Sequence, residues 1–257
     1  STIGANAQNY FRQSAIQLLT QEEGLSNNTL TEIYQDKDGF LWLGTDIGLS
    51  RYDGIHFHNY NLIDAEPHSL ACIYETSGHL LWSHVSNCNE IVCFNKMDGR
   101  FMPLAVSPSE LLQDIKDICV LQDKLYALTS KGVVKLKIET EKDSIRLTSQ
   151  VLPHIKGTPT KLYGSANILC MATEDNQIII YNTEENKAEN IDCTTLGMEK
   201  DDAIGGMYLR DNNLWIYGRE EPVIIYYDIL TRTSRKLNWS NEKSSPDNAP
   251  LRDMVQI

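Results

Sequence analysis

His56 and His58 stand two positions apart, a spacing that sets both imidazoles on one face of a strand, as paired metal ligands would be. No third ligand at a suitable spacing accompanies them, and protein metal sites draw on three or more donors. The pair therefore reads as solvated residues of an edge strand, and the sequence implies no metal and no cofactor. Acidic pairs at Glu184-Glu185, Asp201-Asp202 and Glu220-Glu221 fall in turn-rich segments, where adjacent carboxylates are ordinarily solvated charge. A glycosidase pair faces across a cleft of about 5–9.5 Å, which neighbours on one turn do not form. GxSxG, HExxH, the phosphate-cradling P-loop and the EF-hand loop are all absent, so no residue is assigned a catalytic role. What remains is recognition chemistry. His84, Asn87 and Asn89 crowd one short segment, and Arg219 and Glu220 another, offering planar donors and acceptors. Trp239 supplies either a flat apolar platform or a packing residue of an outer strand.

The balance of charge narrows the partners. Across 257 residues the net charge is −12, with no basic cluster, which disfavours nucleic acid and anionic lipid surfaces. No apolar run approaches the length of a membrane-spanning helix, so any membrane attachment belongs to a segment outside residues 1–257. Six cysteines show no CxxC or zinc spacing. Cys72, Cys119 and Cys170 fall within expected strands and read as buried free thiols. Cys88 and Cys93 flank a turn and are the pair that an oxidising compartment would join. Ala5-Asn6-Ala7 resembles the small-x-small end of a secretory signal peptide, so residues 1–13 read as a flexible N-terminus or its remnant.

These residues are positioned by a repeat. Leu30 to Tyr60 contains four short β-rich runs punctuated by Asp36-Lys37-Asp38-Gly39, Thr45-Asp46-Ile47-Gly48 and Asp53-Gly54, the pattern of a four-stranded antiparallel meander. Trp42, Trp82, Tyr126, Cys170 and Trp215 then recur at intervals of 40, 44, 44 and 45 in similar contexts. Four strands in 40–45 residues is the period of a β-propeller blade, whereas solenoid repeats are shorter. The expectation is an all-β propeller with blades over 30–60, 70–104, 115–148, 160–192 and 204–239. Ser14–Thr20 is expected as the fourth strand of another blade, and 251–257 as a trailing first strand. Five complete blades with partial ones at either side imply the front of a longer chain whose further blades close the ring.

Residues 24–60 closely resemble the regulator-propeller repeat of two-component sensors. Asp36, Gly39, Leu41, Trp42, Gly44, Thr45, Gly48, Leu49, Arg51, Tyr52, Asp53 and Gly54 fill its pattern, led by Gly24-Leu25-Ser26-Asn27-Asn28. In the second repeat Trp82-Ser83-His84 departs from the pattern, and the last three repeats keep only its outline. The resemblance implies the periplasmic region of a hybrid histidine kinase, in which two seven-bladed propellers precede an immunoglobulin-like domain, a membrane helix and cytoplasmic signalling domains. It further implies a homodimer, oligosaccharide ligands and control of polysaccharide-utilisation genes, with the catalytic kinase elsewhere in the full-length protein.

Propellers bind ligands at one end of the channel, where loops join second to third strands and fourth strands to the next blade. His84, Asn87, Asn89, Arg219 and Glu220 are expected there, in place of the small Gly-Thr turn. Three readings follow: a ligand-sensing propeller, an interaction or dimerisation scaffold with ligand bound elsewhere in the ectodomain, and a propeller lyase or glycosidase.

Overall fold

The computed structural model describes residues 18–62, 69–86, 90–220 and 223–238. The expected trailing strand at 251–257, residues 1–13 and most of the strand expected at Ser14–Thr20 lie outside them. Leu18–Thr20 are described and are not strand. Thr20 instead caps a single 3-10 turn, Gln21–Glu23, in a reciprocal capping box with Glu23.

The chain divides into two compact units, Ser1–Leu70 and Ala71–Ile257. The first holds one antiparallel sheet, β1 (Leu30–Gln35), β2 (Leu41–Thr45), β3 (Gly48–Tyr52) and β4 (Phe57–Asn61), in sequence order. One carboxylate organises it. Asp36 Oδ1 accepts the backbone N–H groups of Asp38 and Phe40, both at 3.0 Å, closing the first turn. Its Oδ2 accepts the Trp42 indole N–H at 2.8 Å. The Asp-x-x-Gly turn and the Trp six residues on are thus one device, with Gly39 at φ +88° completing the turn. Trp42 is 1% exposed, stacked on Tyr60 with centroids 6.1 Å apart. The Arg51 guanidinium lies 4.7 Å from the Phe40 ring centroid.

Gly48 starts β3 at φ +140°, and a Cβ there would stand 2.5 Å from the Tyr60 carbonyl oxygen. Both the backbone angle and the space demand glycine. Gly48→Ala is expected to destabilise this unit by about 1–3 kcal/mol, read by urea unfolding. A change within a few tenths of a kcal/mol would contradict the β3–β4 register, which pairs Gly48 with Asn61. The lead-in residues lie over the same sheet: Ser50 Oγ donates to Asn59 Oδ1 at 2.8 Å, and Asn59 Nδ2 donates to the Gly24 carbonyl at 2.9 Å.

The second unit holds four sheets. They comprise β5 (Tyr74–Thr76), β6 (Leu80–Val85), β7 (Glu90–Asn95) and β8 (Arg100–Met102), then, after β9 (Leu104–Ser107), β10 (Asp117–Leu121), β11 (Lys124–Thr129), β12 (Gly132–Thr140) and β13 (Ile145–Val151). The last two are β14 (Pro159–Ser165), β15 (Ile168–Thr173), β16 (Gln177–Asn182) and β17 (Lys187–Asp192), and β18 (Ile204–Arg210), β19 (Asn213–Gly218), β20 (Val223–Asp228) and β21 (Thr233–Asn238). Each is an antiparallel meander in sequence order, with one addition. The run expected to continue the outer strand of the second blade ends at Met102, because Pro103 has no N–H to give the ladder. The chain then crosses to the third blade, where β9 pairs in parallel with β13, Leu104 opposite Ile145 and Ser107 opposite Thr148. The third blade therefore has five strands and a covered edge.

Neighbouring sheets bury their faces against one another. Trp82, Leu125 and Leu147 belong to the cluster joining the second and third blades. Tyr126, Leu169 and Tyr181 join the third and fourth, and Cys170, Leu214 and Ile225 the fourth and fifth. Trp82 is fully buried, and its indole N–H donates to Thr76 Oγ1 at 2.9 Å, six residues back as in the first blade. Trp215 departs from the expectation of a ring buried between sheets. Leu214 and Ile216 face the fourth blade, so Trp215 points the other way by strand alternation. There it is half-buried between Tyr208 and Tyr226, at centroid distances of 5.6 and 5.4 Å. Cys72, Cys93, Cys119, Cys170 and Cys193 are buried, and burial pushes the Cys193 thiol up to about 12, far from a reactive thiolate. Cys88 lies outside the described residues.

Candidate functional site

In every blade of the second unit, the end of the second strand is bonded to the segment that enters the first. Ala71 N–H donates to the His84 carbonyl at 2.8 Å, and Lys116 N–H to the Leu128 carbonyl at 2.8 Å. Glu174 N–H donates to the Thr158 carbonyl at 3.2 Å and Arg219 N–H to the Ala203 carbonyl at 2.8 Å. The two sets of loops named as ligand-binding candidates therefore meet at one end of these sheets.

What distinguishes the blades is how the turn after the second strand is closed. Thr45, Thr129 and Thr173 each donate a hydroxyl, at 3.1 Å, to the carbonyl of Gly48, Gly132 and Gln177, locking a tight hairpin. Val85 and Gly218 occupy that place in the second and fifth blades and have no hydroxyl to give. These are the two blades from which the sequence-expected ligand residues come.

In the fifth blade Asp202 supplies the missing clamp. It is 3% exposed, and its Oδ1 accepts the backbone N–H groups of Arg219 at 3.0 Å and Glu220 at 2.9 Å. The Arg219 and Glu220 side chains are left exposed on a backbone that is held, a suitable base for polar recognition. Sequence reasoning took Asp201-Asp202 for solvated charge; the signal available was that Asp202 precedes the apolar first strand, as Asp117 does in β10. Asp202→Ala is expected to destabilise the unit by about 1–3 kcal/mol and to speed amide exchange at Arg219 and Glu220. Unchanged exchange at both would remove Asp202 from this role.

His84 is not in a loop, as expected, but on β6 opposite Ile91, and it is 4% exposed. It holds the place of Gly44, two residues after the blade's Trp. At Gly44 a Cβ would come within 3.0 Å of the Leu70 carbonyl, whereas the second blade has room for an imidazole at this place. The ring is bonded to the Ile115 backbone and its Nε2 is buried with no hydrogen-bond partner. Burial, and secondarily the nearby Lys161 ammonium, hold its pKa below the usual histidine value, the Ile115 bond opposing. His84 is therefore neutral at pH 7 and a packing residue, not an exposed contact. Asn87, Asn89 and Trp239 lie outside the described residues.

Asp117, next to the same Lys161, shifts the opposite way. Burial raises its carboxyl above the usual range, against Lys161 and the N–H groups of Leu162 at 2.9 Å and Ile118 at 3.0 Å. A histidine with a lowered folded pKa contributes stability that is present above its unfolded value near 6.5 and is lost as pH falls through the folded value. For Asp117 the folded state binds the proton more tightly, so its contribution is present below about 3.9 and is lost as pH rises through the folded value. His84→Gln is accordingly expected to lessen the loss of stability on acidification below about pH 6.5, measured as unfolding midpoints at stepped pH. An unchanged slope would show that His84 does not titrate differently on folding.

Among the described residues no group of three or more His, Cys, Asp or Glu is placed to hold a metal ion. None of their helices is long and apolar enough to cross a membrane.

Residues 24–46 match the model of the two-component regulator propeller. The chain is similar in fold to the extracellular domains of two hybrid two-component systems from B. thetaiotaomicron, BT3049 and BT4673, each at 20% identity, with TM-scores of 0.61 and 0.62. It covers 85% of itself and 31% of each of those chains, so it spans about a third of their length. It also shares its fold with virginiamycin B lyase from Staphylococcus aureus, at 15% identity and a TM-score of 0.59, over 85% of this chain and 73% of that one. No curated protein matches it. The fold is thus that of a β-propeller, built of the meander sheets described above.

Proposed function

We propose that this regulator propeller is the ligand-sensing part of the periplasmic ectodomain of a hybrid two-component sensor, without catalysis of its own. Its ligand is a glycan-derived oligosaccharide, and the signal controls polysaccharide-utilisation genes. The observation that carries the reading is the regulator-propeller repeat at 24–46, on a fold shared with extracellular domains of hybrid two-component systems. The ligand is taken at the end of the sheets where the Arg219–Glu220 segment is held by Asp202. Binding transmits only if the ligand prefers one of two arrangements of the ectodomain, within the chain or across a homodimer. Replacing Arg219 and Glu220 together by Ala in the full-length sensor is expected to abolish glycan-dependent induction while the protein stays folded. Normal induction would remove this end of the propeller from ligand recognition.

A second reading has a specific observation behind it. His84, expected among the contacts, is buried inside the blade, which favours a scaffold or dimerisation role with ligand bound elsewhere in the ectodomain. A fragment lacking this propeller that still bound the glycan would establish it.

A further inference from the structure

The third and fourth blades leave a groove of about 290 Å³ between them, lined by Tyr126, Lys135, Gln150, Pro153, Thr183 and Asn186. Its walls are mostly polar. Tyr126, Lys135 and Gln150 lie opposite one another across β11, β12 and β13 and so share the face turned to the fourth blade. Thr183 and Asn186 come from the turn between β16 and β17. The Thr183 hydroxyl is spent, donating to the Asn167 carbonyl at 3.0 Å, but part of the remaining polar capacity is not. Lys135 is half-buried yet pairs with no carboxylate among the described residues, in a chain of net charge −12. Asn186 uses its carbonyl oxygen to accept the Tyr181 hydroxyl at 3.2 Å, which leaves its NH₂ to donate. The Tyr126 phenol is bonded to Thr183, and burial raises its pKa to about 12, so it stays a neutral hydroxyl at pH 7. Pro153 gives one apolar wall.

The geometry points to a subsite for one acidic sugar unit: the carboxylate on Lys135, hydroxyls on the Gln150 and Asn186 amides, and an apolar ring face toward Pro153. The size suits a single monosaccharide, the groove lying near the lower end of ligand-pocket volumes. A lone ammonium set among neutral donors and acceptors selects one negative charge on a hydroxylated body. The inference is independent of the site proposed at the Arg219–Glu220 end and can fail or stand without it.

The test is amide NMR on the whole chain titrated with D-glucuronate, D-glucose and inorganic sulfate. Saturable shifts of the Gln150 and Asn186 side-chain amides are expected with glucuronate. D-glucose should be weaker by about tenfold or more, as expected for loss of a charge-assisted contact. Lys135→Met should bring glucuronate down to the glucose level, and Lys135→Arg should retain much of it, with thermal unfolding of both variants unchanged. Three results would overturn the proposal: no saturable shift with glucuronate, shifts that survive Lys135→Met, or sulfate binding as tightly as glucuronate, which would make this a simple anion contact.

Discussion

Trp82→Ala lowers unfolding stability by about 3–5 kcal/mol, the range for truncating a fully buried aromatic ring. The ring is at 0% exposure in the cluster joining the second and third blades, so the cavity opens in the middle of a seam. Truncation also leaves the Thr76 hydroxyl without the indole it accepts from at 2.9 Å. Urea unfolding of the wild type, Trp82→Phe and Trp82→Ala should rank in that order. Phe keeps most of the volume but loses the indole N–H, at a cost of about 1–2 kcal/mol. A loss under about 1 kcal/mol for Trp82→Ala would mean that the sheets do not depend on this ring for their packing.

Lys96→Met is the second large effect. Lys96 Nζ lies 2.6 Å from Glu75 Oε1, and the two side chains are 7% and 5% exposed, an ion pair closed inside the second blade. Removing one member leaves the other charge buried, which typically costs about 3–5 kcal/mol, and Glu75→Gln should behave likewise. The double variant is expected to lose less than the sum of the single variants, because the attraction between the two groups is counted once in each. Additive losses in that cycle would show that the two groups do not interact, and losses below about 1 kcal/mol in each single variant would place them in solvent. Exposed pairs such as Lys137–Glu139, also at 2.6 Å, serve as the control and should cost little.

The blade pattern was legible because it rests on local chemistry. A turn carboxylate, a glycine at positive φ and an indole six residues on are contiguous in the chain, and the first blade displays all three. Trp82 and Tyr126 kept the position even where the surrounding motif had faded, since a buried seam tolerates changes of turn but not loss of bulk. Cys170 shows the limit: the place is kept and fully buried, but the ring is gone and neighbours such as Leu214 and Ile225 fill the seam. The strand β9 was not legible. Leu104–Ser107 reads as the tail of an outer strand, and its true partner, Ile145–Thr148, is a non-local choice that no short-range pattern encodes.

Of the residues singled out in the sequence, Arg219 and Glu220 follow the second strand as expected, whereas His84 does not. Val85 and Gly218 stand where the other blades have the Thr lock, and the sequence shows that replacement directly. Misplacing His84 came from reading a change of residue type as a change of structure. Its spacing from Trp82 equals that of Gly44 from Trp42, which already fixed it on the strand. Asp202 was passed over because an acid beside another acid reads as solvent-facing, whereas the fold turns its carboxylate inward onto two N–H groups.

Calorimetric titration of an oligosaccharide panel into the complete ectodomain, and into the same ectodomain without this propeller, tests the sensing role most directly. The expected result is one class of glycan that binds saturably to the first and not to the second, weakened by the paired Arg219 and Glu220 replacements. Equal binding to both proteins, or no heat from any glycan, would contradict it.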